Sequence, residues 1–433
     1  MNKIFAVAVA TVMAMGASAQ TAHVCTDCCH SPKSSRTVKP GIEVLRDRGF
    51  EGLKGKRVGL ITNPTGIDHN LKSTIDILAE APDVELVALY APEHGVRGDV
   101  HAGKYVESFT DPATGIKVYS IYGKNRKPSP EMLKDIDVLV YDIQDIGCRS
   151  YTFISSMGKA MSACAEQGKE FMVLDRPNPV GGNKVEGNLT EDDCVSFVSQ
   201  FPIPYLYGLT PGELANYLND EGMLDGGKKV NLTVVPMEGW TRDMDYAGTG
   251  LPWVLPSPQI PNPEGALFYP VSGILGELYY MSIGVGYTMP FRLFCAEWID
   301  AGKFAERMNA LNLPGLKFRP IHIKPFYNVG PGEDLTGKNL QGVEVYITDK
   351  DAAPLSLTQF YVMQELADMY PDKAVFKEGN ADSARFNMFD KVAGSKQIRE
   401  RFSKNHKVAD IIDYWNKDAD AFKAKSAKYH LYK

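Results

Sequence analysis

Residues 57–66 read Arg-Val-Gly-Leu-Ile-Thr-Asn-Pro-Thr-Gly, and residues 85–95 read Glu-Leu-Val-Ala-Leu-Tyr-Ala-Pro-Glu-His-Gly. In each, a run of apolar residues stops abruptly in a polar turn. Neither run alternates polar and apolar positions, as a strand with one wet face would. A continuous apolar run fits a strand covered on both faces, the condition of a parallel sheet. The pattern recurs at 117–121, 137–141 and 171–174, with helical segments at 73–79, 130–133 and 155–167 between the runs. Strand, helix, strand repetition predicts an α/β fold with a doubly wound parallel sheet.

Further along, Thr210 as N-cap, Pro211 at the first helical position and Glu213 three residues after the cap predict a helix to about residue 221. Residues 231–235 read as another strand. The segment 248–270 contains Pro252, Pro256, Pro258, Pro261, Pro263 and Pro270. Proline cannot occupy central strands or helix interiors without loss, so this stretch reads as an ordered loop over a site or a domain link. The remainder mixes a strand pair at 317–323 and 343–347 with helices at 357–369 and 398–402. Single cores stop growing at roughly 250–300 residues, so a chain of 433 residues is expected to hold two domains. The boundaries read as 41–270 for the parallel-sheet domain and 271–433 for a smaller α+β domain.

The N-terminus carries Asn2-Lys3, an apolar run at 4–15 and Ala17-Ser18-Ala19 before Gln20, the pattern of a secretory signal over residues 1–19. A polar, aperiodic leader at 20–40 follows. The expectation is an exported protein, periplasmic or extracellular, with no membrane span. Seven cysteines is an odd number, so they cannot all pair. Cys25, Cys28 and Cys29 cluster beside His30, but no second ligand pair follows at a typical spacing, and no metal or cofactor is expected. A net charge of −6 without a basic stripe excludes a phosphate backbone as partner, which leaves a small or polymeric neutral-to-anionic molecule.

In an open parallel sheet, ligands bind where loops and helix N-termini converge at the carboxyl ends of the strands. After the strand at 57–61 comes Asn63, in a turn suited to sugar hydroxyls or to a plain strand–helix connection. After 85–90 come Glu93, His94 and Arg97, packed among Pro92, Gly95 and Gly98. After 137–141 come Asp142, Gln144, Asp145 and Arg149, and after 171–174 come Asp175, Arg176 and Asn178. Charged residues after three neighbouring strands point to a common pocket, with Asp142 and Asp175 pairing with Arg149 and Arg176 or capping helices. A carboxylic acid that donates a proton, with a second carboxyl nearby, is the equipment for hydrolysing a glycosidic bond. Glu93 is the candidate proton donor and Asp145 the candidate second carboxyl, a part that a substrate acetamido group could equally take. His94 is open to either a substrate or a structural role.

These motifs, Ala91-Pro92-Glu93-His94-Gly95-Val96-Arg97-Gly98, Thr62-Asn63-Pro64-Thr65-Gly66, Asp142-Ile143-Gln144-Asp145, Leu174-Asp175-Arg176-Pro177-Asn178-Pro179, and Gly250-Leu251-Pro252-Trp253 followed by Pro256-Ser257-Pro258, resemble those of the exo-β-N-acetylmuramidase family of peptidoglycan hydrolases. The resemblance covers nearly the whole chain from Gly41. It implies a Rossmann-like domain with a smaller C-terminal domain, a site between them, and Glu93 as the catalytic residue. It also implies removal of N-acetylmuramic acid from the non-reducing end of peptidoglycan fragments, a sugar or muropeptide partner, and no metal or cofactor. Substrate contacts are expected from Asn63, His94, Arg97, Gln144, Arg149, Arg176 and Asn178. One departure stands out: where the family commonly carries an Asn and an Arg, this chain has Tyr280 and Val285. Loss of that Arg removes a charge-assisted contact for a substrate carboxylate. Tyr280 is instead suited to stacking on a sugar ring, or to the interdomain core.

The rival from another class is a two-lobed periplasmic binding protein, which needs no poised acid. An esterase or amidase is disfavoured by the lack of a Gly-x-Ser-x-Gly elbow, and a dinucleotide-dependent enzyme by the lack of Gly-x-Gly-x-x-Gly after the first strand.

Overall fold

The computed structural model describes residues 37–98, 108–328 and 332–433. The signal-like segment 1–19, most of the leader and Cys25, Cys28 and Cys29 lie outside the described residues.

The apolar runs become strands β1 (Arg57–Thr62), β2 (Glu85–Ala91), β3 (Phe109–Thr110), β4 (Lys117–Ser120), β5 (Val138–Asp142) and β6 (Glu170–Leu174). They are followed by a short hairpin, β7 (Val185–Glu186) and β8 (Leu206–Tyr207), and by β9 (Asn231–Val235). Seven of these form one sheet in the order β3-β4-β2-β1-β5-β6-β9, parallel throughout except for the β3–β4 edge. Side chains alternate between its faces with period two. Val58, Leu60, Val138, Val140, Met172 and Leu174 pack against helices α1 (Gly41–Asp47) and α2 (Thr74–Ala79). Ile61, Leu139, Tyr141, Phe171 and Val173 face α4 (Phe153–Gln167) and α5 (Pro211–Asp220) on the other side, where the one-turn α3 (Pro130–Leu133) also lies. Both faces are covered, which is why the strands read as unbroken apolar runs. The doubly wound α/β fold expected from the sequence is the one observed.

The rest of the chain is α6 (Pro263–Gly276), β10 (Leu293–Ala296), α7 (Ala301–Ala310), β11 (Leu316–Ile323), β12 (Leu340–Ile347) and α8 (Thr358–Met369). Four further helices follow: α9 (Phe386–Ala393), α10 (Lys396–Asn405), α11 (Ile412–Asn416) and α12 (Ala419–Ser426). Its three strands form a separate antiparallel sheet, β10-β12-β11. This smaller α+β part agrees with the expected class.

The proline-rich stretch is corrected by the structure, because α6 begins inside it. The Asn262 side chain accepts the Gly265 N–H at 2.9 Å, and Pro263 takes the first helical position, where a missing N–H loses no bond. Pro270 lies within the helix. Gln359 of α8 splints the helix there, donating to the Pro270 carbonyl at 3.0 Å and accepting the Leu275 N–H at 2.9 Å. Capping and tertiary hydrogen bonds thus outweigh a local preference against helix.

The hydrophobic cores do not respect the division of the chain. Ile146, Cys148, Tyr205 and Leu206 join the core built by α6, α8 and Trp415. Phe422 and Tyr429, near the far end of the chain, pack into the core of the parallel sheet beside Tyr217. The described residues from Thr37 to Lys433 accordingly fall in one compact unit.

Candidate active site

The strand order reverses at β1, whose neighbours are β2 and β5, and in open sheets that reversal opens a ligand-binding crevice. Here protein fills it. Arg176 forms a buried ion pair with Asp142 and donates to the Ile67 carbonyl at 2.8 Å. What remains is a cavity of about 10 Å³ lined by Thr65, Gln144 and Arg176 beneath Tyr246 and Leu251. Asn63 accepts the Thr65 N–H and hydroxyl at 2.9 and 2.6 Å, closing the turn after β1 on itself. The Gln144 amide donates to the carbonyls of Asp145 and Pro177, and Asn178 bridges the Leu209 carbonyl and the Val180 N–H.

Asp145, the expected second carboxyl, is 2% exposed. It accepts from Tyr207 and from the Gly147 N–H, and burial raises its pKa to about 6. Asp175 accepts the Thr210 hydroxyl and the Gly212 N–H at the start of α5. Arg149 is fully buried and donates to the carbonyls of Asn188, Ile203 and Val392. Arg97 pairs with Asp111 at 2.8 Å, and Tyr280 donates to the Lys373 carbonyl. The expected common pocket of the charged residues after β2, β5 and β6 is therefore not formed: those after β5 and β6, with the turn after β1, bond mainly to the protein itself, although Asn63 Nδ2, Gln144 Oε1 and Asp145 Oδ1 are buried without a partner among the described residues.

Glu93 and His94 have a different setting. Both line a cavity of about 270 Å³ together with Tyr122, Tyr151, Thr152, Ser257, Gln259, Tyr269 and Glu277. The chain turns sharply after β2, with the Gly95 N–H on the Pro92 carbonyl at 3.0 Å and His94 at φ 71°, a left-handed conformation that histidine tolerates better than bulkier residues. One backbone bond beyond β4, from the Ile121 N–H to the Ala91 carbonyl at 2.9 Å, brings Tyr122 alongside the turn. The Tyr122 hydroxyl donates to Glu93 Oε1 at 2.8 Å, and the Thr152 hydroxyl donates to Oε2 at 2.7 Å. Thr152 is the N-cap of α4, and it turns its hydroxyl to Glu93 and not to its own helix. The carboxyl thus sits at the positive end of a 15-residue helix. Burial and the nearby carboxylate push the Tyr122 phenol well above its usual range, so it stays a proton-bearing donor.

The opposite wall comes from the C-terminal part of the chain. Tyr269 of α6 stacks edge-on against Tyr151 and Phe291 and meets the Ser150 hydroxyl at 3.2 Å. Glu277, the residue that caps the C-terminus of α6, pairs with Arg385 at 2.7 Å. The arrangement places a held carboxyl, hydroxyl donors and aromatic faces around a space open to a polar, ring-shaped ligand. Reading the strand ends alone missed Tyr122, Thr152, Tyr269 and Glu277. Thr152 had a local signal, as the polar residue just before an apolar helical run, and Ser257 lies in the quoted Pro256-Ser257-Pro258 motif. Tyr122 and Tyr269 had none, since only the register of β4 and the packing of α6 bring them in.

Residues 58–264 match the family described as "Exo-beta-N-acetylmuramidase NamZ, N-terminal", and residues 267–432 match its C-terminal counterpart. Over 395 residues the chain is 44% identical to "Peptidoglycan beta-N-acetylmuramidase NamZ" of Bacillus subtilis (strain 168), covering 91% of each protein. It is also similar to two crystal structures of DUF1343 family proteins from Bacteroides fragilis NCTC 9343. One is 63% identical with a TM-score of 0.87, the other 27% identical with a TM-score of 0.70, and each covers 92% of this chain and 99% of its own. Matched along both halves and over nearly its whole described length, the chain belongs to the exo-β-N-acetylmuramidase NamZ family of glycosidases.

Proposed function

We propose that this protein hydrolyses the β-glycosidic bond of N-acetylmuramic acid at the non-reducing end of peptidoglycan fragments, with Glu93 donating the proton to the leaving oxygen. The observation that carries the proposal is the position of Glu93, lining the cavity with one carboxyl oxygen on the Tyr122 hydroxyl and the other on the Thr152 hydroxyl. The two hydroxyls hold the carboxyl in one orientation, and because a hydroxyl can accept as well as donate, one of them can turn to receive the O–H of the protonated acid that general acid catalysis needs. The relationship to the Bacillus subtilis muramidase supports the choice of sugar. A binding protein would need no held carboxyl facing its ligand space, so the same observation favours hydrolysis over capture. Export belongs to the proposal as well: peptidoglycan lies outside the plasma membrane, and residues 1–19 have the composition of a secretory signal.

The test is chromophore release from a β-N-acetylmuramide and a β-N-acetylglucosaminide by the purified chain, beside Glu93→Gln. Release from the muramide alone, reduced about 10²–10⁴-fold or more in the variant, is the expected result. Equal release by Glu93→Gln would remove the acid role, and silence of the folded native chain on both sugars would remove the glycosidase reading.

A further inference from the structure

We propose that Glu277 is the second catalytic carboxyl of this site, the group that accepts the proton of the attacking water. The proposal rests on the glycosidase reading above. Glu277 lines the cavity that holds Glu93, and it also lines a second cavity of about 280 Å³ built by Tyr279, Met281, Val285, Tyr327 and Leu335. Tyr269, Glu277 and Phe291 are common to both. A substrate with its terminal sugar in one cavity and its leaving group in the other carries the bond between them past this shared wall. Among the described residues, Glu277 is the only carboxyl on it.

The side chain is built to hold a fixed position. Arg385 donates through one nitrogen to the Glu277 carbonyl at 2.8 Å and through another to Oε2 at 2.7 Å, while its guanidinium lies over the Tyr279 ring at 4.9 Å. That grip leaves Oε1 without a hydrogen bond among the described residues. Arg385 favours the ionised carboxylate, as a water-activating group requires. Burial acts in the opposite sense and prevails, raising the pKa above the ordinary glutamate value, and the C-terminal end of α6 adds negative potential. An ionised carboxylate of raised basicity is a better proton acceptor than a free one. Asp145 cannot take this part, since it lies buried on Tyr207 and the Gly147 N–H and lines neither cavity.

In the reaction, the Glu93 carboxyl gives its proton to the glycosidic oxygen, and the bond from that oxygen to the anomeric carbon breaks with its electron pair staying on the oxygen. Water forms the new carbon–oxygen bond, and its released proton goes to Glu277. One water is consumed, and proton exchange with solvent returns Glu277 to the carboxylate and Glu93 to the acid.

The experiment compares the full chain with Glu277→Gln, Glu277→Asp and Glu277→Ala on the chromogenic β-N-acetylmuramide, with melting temperatures as the folding control. In Glu277→Gln, kcat should fall about 10³-fold with KM within about threefold. Glu277→Asp keeps the charge and withdraws the carboxyl by one methylene, and should lose about 10²-fold. Sodium azide should restore part of the activity of Glu277→Ala and yield the glycosyl azide, which a purely structural defect would not permit. Glu277→Gln or Glu277→Asp within tenfold of the native kcat overturns the assignment while leaving the glycosidase reading intact. A native chain silent on the muramide overturns both.

Discussion

Replacing Arg149 with Met should weaken the fold by several kcal/mol without altering the chemistry of the enzyme. The guanidinium is completely buried, and its acceptors are all neutral: the carbonyls of Asn188 and Ile203 at 2.7 Å each, that of Val392 at 3.1 Å and the Ser199 hydroxyl at 3.2 Å. Burial lowers its pKa to about 10, so it remains charged at neutral pH. Methionine fills similar space but donates nothing, leaving three buried carbonyls without a partner at about 1–2 kcal/mol each, a loss of about 3–6 kcal/mol. Release of a buried charge offsets part of that, for a net loss of about 3–4 kcal/mol. Urea unfolding followed by tryptophan fluorescence should show a lower midpoint at an unchanged slope, and the folded fraction should keep the native kcat/KM. An unchanged midpoint with a KM raised tenfold would refute this reasoning and return Arg149 to the substrate.

Two further perturbations test other parts of the fold. Glu221 accepts from Lys425 at 2.6 Å, Lys428 at 2.8 Å and the Tyr429 hydroxyl at 2.8 Å, contacts that hold its pKa at about 2, below the ordinary value of 4.5. Between these values the unfolded chain binds more protons, so the stabilisation is complete above about pH 5 and is lost as pH falls towards 2. Glu221→Gln should therefore cost about 1 kcal/mol at pH 7 and close to nothing at pH 2, and a deficit independent of pH in urea titrations would contradict the pairing. Gly342 sits in β12, the middle strand of the smaller sheet, where a Cβ would lie 1.9 Å from the Phe294 carbonyl oxygen. Gly342→Ala must push β10 aside, at a cost of about 2–3 kcal/mol, and an unchanged melting temperature would show that the strand yields freely.

The parallel sheet was legible in the sequence because burial on both faces leaves a direct trace: runs such as 57–61 and 137–141 have no polar position to spare. The turn after β2 was legible for a similar reason, since an acid between proline and glycine is hard to explain as ordinary surface. The partners of Glu93 were not. Tyr122 reaches it only because β4 lies beside β2, and Glu277 comes to line the same cavity only through the packing of α6. Asp145, Arg149 and Arg176 show the reverse error, whereas Asp142 pairs with Arg176 as its place at the strand end suggested. Charge at a strand end signals a buried polar network as readily as a ligand site, and only partners such as Val392, over 240 positions away from Arg149, tell the two apart. Helix α6 was hidden by its own prolines, because Gln359, which bridges Pro270, comes from a distant helix.

The far end of the chain tucks into the parallel sheet, and this governs the order in which the protein can assemble. Glu213, 0% exposed, receives the Leu431 N–H from 218 positions downstream, and Asp175, equally buried, receives the Tyr432 hydroxyl from 257 positions downstream. A ribosome releases β1–β9 long before it makes these partners, so the emerging sheet carries two carboxylates it cannot yet fully satisfy. Contacts of that sequence separation are costly to close, so these two are expected to form late in folding. For a chain that must thread a membrane channel before folding, as the proposed export requires, such a late keystone would keep the front half from setting in the wrong compartment.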